Sequence, residues 1–226
     1  YELRNPTDLR FLRVGEAFKR GISIDEIYER SKIDKWFLYK LENIINIENE
    51  LKELDFLGSS NEQKEYVFRK AKRFGFSDGQ IAKIVGMDTP TIRRLRKRYD
   101  INPSVKQIDT LAGQVKPERN YLYLTYWGDK HDIQYDLEDK EKKVIVLGSG
   151  TYRIGASVEF DWGSVNCLWG LQEMGVDKAI IINYNPETVS TDYDVSDRLY
   201  FEELSGERVL DICEYERSFG VVLNAG

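Results

Sequence analysis

The residues of this chain that could do chemistry gather in its last third. Gly148, Ser149, Gly150, Thr151, Tyr152, Arg153, Ile154 and Gly155 form a glycine-bearing loop between an apolar run, VIVLG, and a stretch of helical pattern. At such a place backbone N–H groups and a helix N-terminus can receive an anion. The spacing matches neither common phosphate loop. A dinucleotide fingerprint has its third glycine three residues after the second, whereas Gly155 follows Gly150 by five, and Asn183 and Asn185 end the next apolar run instead of a ribose-binding acid. A Walker loop continues with Lys and Ser/Thr after its last glycine; here Ala156 and Ser157 follow, so the phosphate-contacting lysine is absent. A tight strand-to-helix turn and a ligand loop both stay open on this pattern.

Other candidates are weaker taken singly. Glu159 and Asp161 flank Phe160 early in the next helix, where a carboxylate is favoured by the helix dipole alone. Asn185, Pro186, Glu187 and Thr188 make a turn at the carboxyl end of the AIIIN run, the edge where α/β sheets hold ligands, and structural and binding readings both stand. Asp192, Asp194, Ser196 and Glu203 fall on calcium-loop positions, yet Asp197 replaces the required glycine and RLYFE reads as a strand, so no calcium site is expected. Cys167 lies in an amphipathic stretch with no histidine nearby and is read as packing. Cys167 and Cys213 have no CxxC spacing, so neither a zinc site nor a disulfide framework is suggested and a reducing compartment is the default. His131 is the only histidine, which excludes a three-histidine metal site within the chain.

The elements that must position these residues follow from periodicity. From Lys143 onward short apolar runs, VIVLG, AIIIN, RLYFEEL and GVVLNAG, alternate with helical stretches, as in a parallel α/β unit. The last run ends at Gly226, where this architecture would continue with a further turn and helix, so an incomplete unit is expected. Residues 1–101 read as consecutive helices, with Phe11, Val14 and Phe18, then Phe37, Leu41, Ile44, Ile45 and Leu51, at helical spacing. Ser23 with Glu26 and Ser77 with Gln80 predict capping boxes, Thr89 before Pro90 predicts an N-cap, and Gly21, Gly75 and Gly86 mark helix ends. Residues 102–142 lose periodicity and read as a linker, although Tyr121, Tyr123, Tyr126 and Trp127 predict that part of it packs against a domain.

Composition narrows the function classes. Hydrophobic residues at 41% beside 32% charged residues fit a folded, soluble protein, and 226 residues allow two modest cores. No apolar run reaches the roughly 20 residues that span a bilayer, and YELRNPTDLRF lacks the apolar core of a signal peptide. A net charge of −6 weighs against nucleic-acid binding. The rival signal is SDGQIAKIVGMDTPTIRRLRKRYDI, which has a helix-turn-helix pattern, but Arg93, Arg94, Arg96, Lys97 and Arg98 surround their helix and form no single groove-facing stripe.

GSGTYRIGASVEFDW followed by NYNPETVSTDYDVSDRLYFEEL resembles the second synthetase half of the carbamoyl-phosphate synthase large subunit. PTDLRFLRVGEAFKRG, DKWFLYKLENI, AKRFGFSD and IDT followed by YLYLTY extend that resemblance over essentially the whole chain. It departs at Leu111, Ala112, Gly113 and Gln114, and WGDKHD and EFDW lean towards the multifunctional pyrimidine-pathway versions. The resemblance implies an α plus α/β fold: a helical oligomerisation domain over 1–101, a linker over 102–142, and a parallel, Rossmann-like pre-ATP-grasp subdomain over 143–226, truncated at its C-terminus. It also implies an ATP-dependent ligase that makes carbamoyl phosphate from bicarbonate, glutamine-derived ammonia and two ATP, for arginine or pyrimidine biosynthesis. ATP and magnesium, with potassium as a further candidate, belong to the intact enzyme and are not expected on this stretch alone. The implied partners are a glutamine amidotransferase, separate or fused, flanking ATP-grasp modules and further copies of the chain; nucleic acid and membrane are not expected. The implied compartment is cytoplasmic, with a mitochondrial version as the alternative. No catalytic residue is implied here. Glu159 and Glu187 are expected to line the carbamate route, and Gly148, Gly150, Arg153, Gly155, Asn185 and Pro186 to shape its wall.

Overall fold

The computed structural model describes residues 2–56, 58–115, 120–133, 140–154 and 157–224. The chain divides into two compact units, Tyr1–Ile101 and Asn102–Gly226.

Among the described residues the first unit has six helices: α1 Arg10–Lys19, α2 Ile24–Ser31, α3 Lys35–Glu53, α4 Asn61–Arg73, α5 Asp78–Val85 and α6 Thr89–Arg98. Local chemistry sets their ends. Ser77 and Gln80 form a reciprocal capping box on α5, Ser60 and Gln63 form another on α4, and Ser23 Oγ accepts the Glu26 N–H at 3.3 Å. Gly86 closes α5 at φ 71, an angle that costs a residue with a Cβ. The expected N-cap of α6 is displaced by one position. Asp88, not Thr89, caps it by accepting the Thr91 N–H at 2.9 Å, because an Asp side chain competes well for that role.

Val14, Ala17 and Phe18 of α1, Ile27 of α2 and Leu38 of α3 share one apolar cluster. The helical spacing read for α1 and α3 holds at Val14, Phe18 and Leu51, which are buried, and fails at other positions. Phe11 and Phe37 are 64% and 57% exposed, while α3 buries Leu38, Ile47 and Leu51. So many apolar residues circle α3 that spacing alone does not fix its inward face. Within the helix-turn-helix pattern, Arg96 is fully buried against Asp78, which removes it from any groove-facing surface.

The second unit is a six-stranded sheet among the described residues, in the order β1-β2-β5-β4-β3-β6. The strands are β1 Ser104–Gln107, β2 Asn120–Thr125, β3 Lys143–Leu147, β4 Lys178–Asn183, β5 Arg198–Phe201 and β6 Gly220–Leu223. The pairs β3–β4, β3–β6, β4–β5 and β2–β5 are parallel, and β1 runs antiparallel to β2. The linker reading of 102–142 is thereby corrected. Two short segments of it join the sheet, held by pairings such as Leu122 with Tyr200, and bury Val105 and Leu122 completely. Glu202 Oε1 accepts the Leu124 N–H at 2.5 Å and ties the far end of β2 to the loop after β5.

Side-chain alternation distributes the sheet between two helices, α7 Val158–Glu173 and α8 Gly206–Glu216. Val146, Ala179, Ile181 and Leu199 meet Val165 and Leu168 of α7, whereas Ile145, Ile180, Ile182 and Tyr200 meet Ile212 of α8. The helices therefore cover opposite faces, which is why β4 can be continuously apolar. Each fully buried isoleucine contributes about 1.5–3 kcal/mol.

Candidate functional site

The chain runs from β3 outward through β4 to β5 and then returns through α8 to β6 on the other side of β3. This reversal puts the switch point of the sheet between β3 and β6, and a ligand crevice in such sheets opens beyond the carboxyl ends of the strands. A cleft of about 630 Å³ lies at that edge, lined among others by Gly148, Ser149, Arg153, Tyr184, Glu203 and Leu223.

The glycine loop leaves β3 pressed against the end of β4. A Cβ on Gly148 would stand 2.5 Å from Asn183 Cγ, and one on Gly150, whose φ is 73, would stand 2.5 Å from Tyr184 Oη. Only glycine permits this approach. Asn183 is fully buried, and its Oδ1 accepts the N–H groups of Gly150 at 3.1 Å, Tyr184 at 2.9 Å and Asn185 at 3.4 Å. Its Nδ2 donates to Ser190 Oγ at 3.0 Å. Ser190 sits in a short 3-10 turn, Val189–Thr191, and Asp161 of α7 accepts both its hydroxyl and, at 3.0 Å, its N–H. Ser149 Oγ is buried and meets no hydrogen-bond partner among the described residues.

The NPET turn is held from within. Asn185 is buried, its Oδ1 accepts the Glu187 N–H at 3.0 Å, and its carbonyl accepts the Thr191 hydroxyl at 3.0 Å. Tyr152 of the glycine loop meets Thr188 Oγ1 at 2.5 Å, a second tie between loop and turn. Pro186 and Glu187 are exposed on the outside of this turn.

Glu159 lies in the first turn of α7, exposed, and accepts the Ser157 hydroxyl; that hydrogen bond holds its carboxyl below the usual carboxylate range. Two positions on, Asp161 points the opposite way and is buried, as the helical pitch requires. Arg153 is exposed at the cleft, and Gly155 lies outside the described residues. The structure thus brings Gly148 and Gly150 together with Asn185 through Asn183. Sequence reading missed Asn183 and Ser190 as functional candidates, since a neutral amide and a hydroxyl carry no signal until the fold joins them. The calcium-loop register is interrupted by strand β5, and Cys167 packs partly buried on the sheet, its thiol pushed up by burial.

Two family models match the chain: the carbamoyl-phosphate synthetase large-chain oligomerisation domain over residues 1–100 and the carbamoyl phosphate synthase preATP-grasp domain over residues 140–226. The arginine-specific large chain of mitochondrial carbamoyl phosphate synthase from Neurospora crassa is 50% identical over all of this chain, which covers 19% of that protein. The multifunctional protein URA2 of Saccharomyces cerevisiae is 49% identical over all of this chain, which covers 10% of it. For the multifunctional protein CAD of Squalus acanthias the identity is 48%, again over the whole chain and 10% of the relative. The chain therefore spans a fifth or less of these relatives. With both of its segments matched in order, it belongs to the carbamoyl-phosphate synthase large-chain family and carries that family's oligomerisation domain followed by its preATP-grasp domain.

Proposed function

We propose that the intact protein is an ATP-dependent carbamoyl-phosphate synthase, and that its α/β unit forms part of the enclosure through which carbamate reaches the second phosphorylation site. Carboxyphosphate and carbamate are labile in water, so such a synthase must keep them from solvent between steps. The observation that carries this reading is the joining of glycine loop and NPET turn at the carboxyl edge of the sheet, through Asn183 and through Tyr152 with Thr188. Gly148, Gly150 and Arg153, with Asn185 and Pro186, supply the wall. Glu159 and Glu187, exposed in this unit and not among the residues that line the cleft, are proposed to line the path in the intact enzyme as carboxylates that do not bind an anion tightly, so the intermediate is passed on instead of held.

The glycine loop does not fit a Walker-type nucleotide site, and the described residues offer no cluster for a metal. Ala156 and Ser157 stand where a phosphate loop has its lysine and hydroxyl, and among the described residues no three His, Cys, Asp or Glu side chains converge. We place ATP, magnesium and any potassium ion in flanking ATP-grasp modules, and the ammonia source in a glutamine amidotransferase, separate or fused. No helix of the described residues is long and apolar enough to cross a membrane. The proposed compartment is the cytoplasm, with the mitochondrion, named for the Neurospora relative, as the alternative.

The helical unit is proposed to support association. A groove between α1 and α3, lined by Phe11, Leu12, Leu41, Ile44 and Ile45, offers an apolar surface for a second copy.

Replacing Glu159 or Glu187 by Ala in the intact enzyme tests the passage reading. Bicarbonate-dependent ATP hydrolysis and ATP synthesis from ADP and carbamoyl phosphate should persist while net synthesis falls. Retained net synthesis rejects the passage role.

A further inference from the structure

We propose that Asp161, Ser190 and Asn183 are positioning residues for the carbamate passage, acting as a directional hydrogen-bond relay that fixes the glycine loop and the NPET turn as one wall. The proposal rests on the passage reading above and names the groups that hold its lining in place.

The direction of the relay follows from donor and acceptor inventory. A carboxylate only accepts, so the Ser190 hydroxyl must give its single hydrogen to Asp161, which also takes the Ser190 N–H at 3.0 Å. With its hydrogen spent, Ser190 Oγ can only accept from Asn183, which forces the amide to present Nδ2 to it at 3.0 Å. Asn183 Oδ1 is then turned towards the N–H groups of Gly150, Tyr184 and Asn185. One buried acid on α7 thereby acts with three backbone N–H groups to fix which way an amide at the end of β4 faces, and the amide ties two loops together. The three residues are 1%, 0% and 0% exposed for Asp161, Ser190 and Asn183, so water cannot substitute for a missing partner.

The arrangement also links the two candidate carboxylates. Glu159 shares the first turn of α7 with Asp161, and Glu187 is hydrogen-bonded through its N–H to Asn185, whose own N–H is held by Asn183. A helix dipole explains an acid at position 161 but not its pairing with Ser190, 29 residues away.

The test uses the intact synthase. Asp161→Asn is nearly isosteric, but it replaces an acceptor by a donor and so breaks the relay's direction; Ser190→Ala removes its middle member. In either folded variant both partial reactions should persist, while carbamoyl phosphate formed per ATP cleaved falls about 100-fold, the scale of an ångström-sized misplacement. Amide exchange at Gly150 should speed up with the β3 amides unchanged. Parent-like coupling in Asp161→Asn overturns the proposal, as does loss of both partial reactions or a uniform rise in exchange across the sheet. Should Ser190→Ala fail to fold, Asp161→Asn decides alone; should both fail, their part is structural and the proposal falls. Glu187→Ala is measured alongside. Intact coupling there rejects the passage reading itself, whereas coupling lost in Glu187→Ala and kept in Asp161→Asn rejects only the positioning role.

Discussion

Arg96 sets its Nε 3.1 Å from both carboxylate oxygens of Asp78, and both side chains are sealed from solvent. Lys72 adds its ammonium 3.0 Å from the same carboxylate, so one buried anion faces two cations drawn from α4 and α6. Removing a member of a buried ionic cluster costs far more than forming it gains, because the remaining charge stays desolvated. Asp78→Ala should therefore destabilise the helical unit by about 3–5 kcal/mol. Arg94→Ala, at an exposed position of the same helix, should stay within about 0.5 kcal/mol. Denaturant unfolding of both variants checks the contrast, and equal effects would remove the cluster as the unit's keystone.

The glycine loop yields a second prediction. Gly148→Ala places a methyl 2.5 Å from Asn183 Cγ, a buried side chain that cannot give way without losing its hydrogen bonds. Overpacking of this kind should cost about 1–3 kcal/mol. Gly150→Ala meets the half-exposed Tyr184 ring and carries the additional strain of φ 73, about 1–2 kcal/mol. Gly206→Ala, with open space around its position in the first turn of α8, should be silent or slightly stabilising. Thermal melts of the three variants rank them; a Gly148→Ala protein as stable as Gly206→Ala would contradict the close approach.

His131 predicts a pH dependence. Its Nδ1 accepts the Val105 N–H at 3.0 Å and its ring stacks on Tyr215 at 4.4 Å, an arrangement that needs the neutral imidazole. Burial, then the nearby Lys106 charge, hold its pKa below the ordinary value of 6.5, against the opposing pull of Asp132. The unfolded chain thus takes up the proton first as the solution is acidified. The contribution of His131 is fully present above about pH 6.5 and is lost as the pH falls below that value towards the depressed folded pKa. His131→Gln should melt at a temperature that varies less between pH 7.5 and pH 5 than the parent does. An unchanged pH slope would show that the ring does not titrate against folding.

What could be read in the sequence was local. The Ser77–Gln80 capping box and the helix end at Gly86 depend on residues within one turn of each other, so the letters alone predict them. Strand β4 was legible because three consecutive isoleucines flank no polar face. Strands β1 and β2 were not, because β2 joins the sheet by pairing with β5, some 78 positions on in the case of Leu122 with Tyr200, and the four residues of β1 pair with β2. Pairing that distant leaves no period to read. The candidate wall divides in the same way. The glycines and the NPET turn announce themselves by type, whereas Asn183 and Ser190 gain meaning only when α7 carries Asp161 to them.

If this chain's α/β unit walls a path for a labile intermediate, the stoichiometry of the intact enzyme must depend on that wall. ATP cleaved per carbamoyl phosphate released is measured for the parent and for the Glu159→Ala, Glu187→Ala double variant under saturating bicarbonate and ammonia. If the two carboxylates line the path, the ratio rises well above the parent's while each partial reaction keeps its rate, because carbamate is made and then lost to water before its second phosphorylation. A parent-like ratio in the folded double variant would contradict the account.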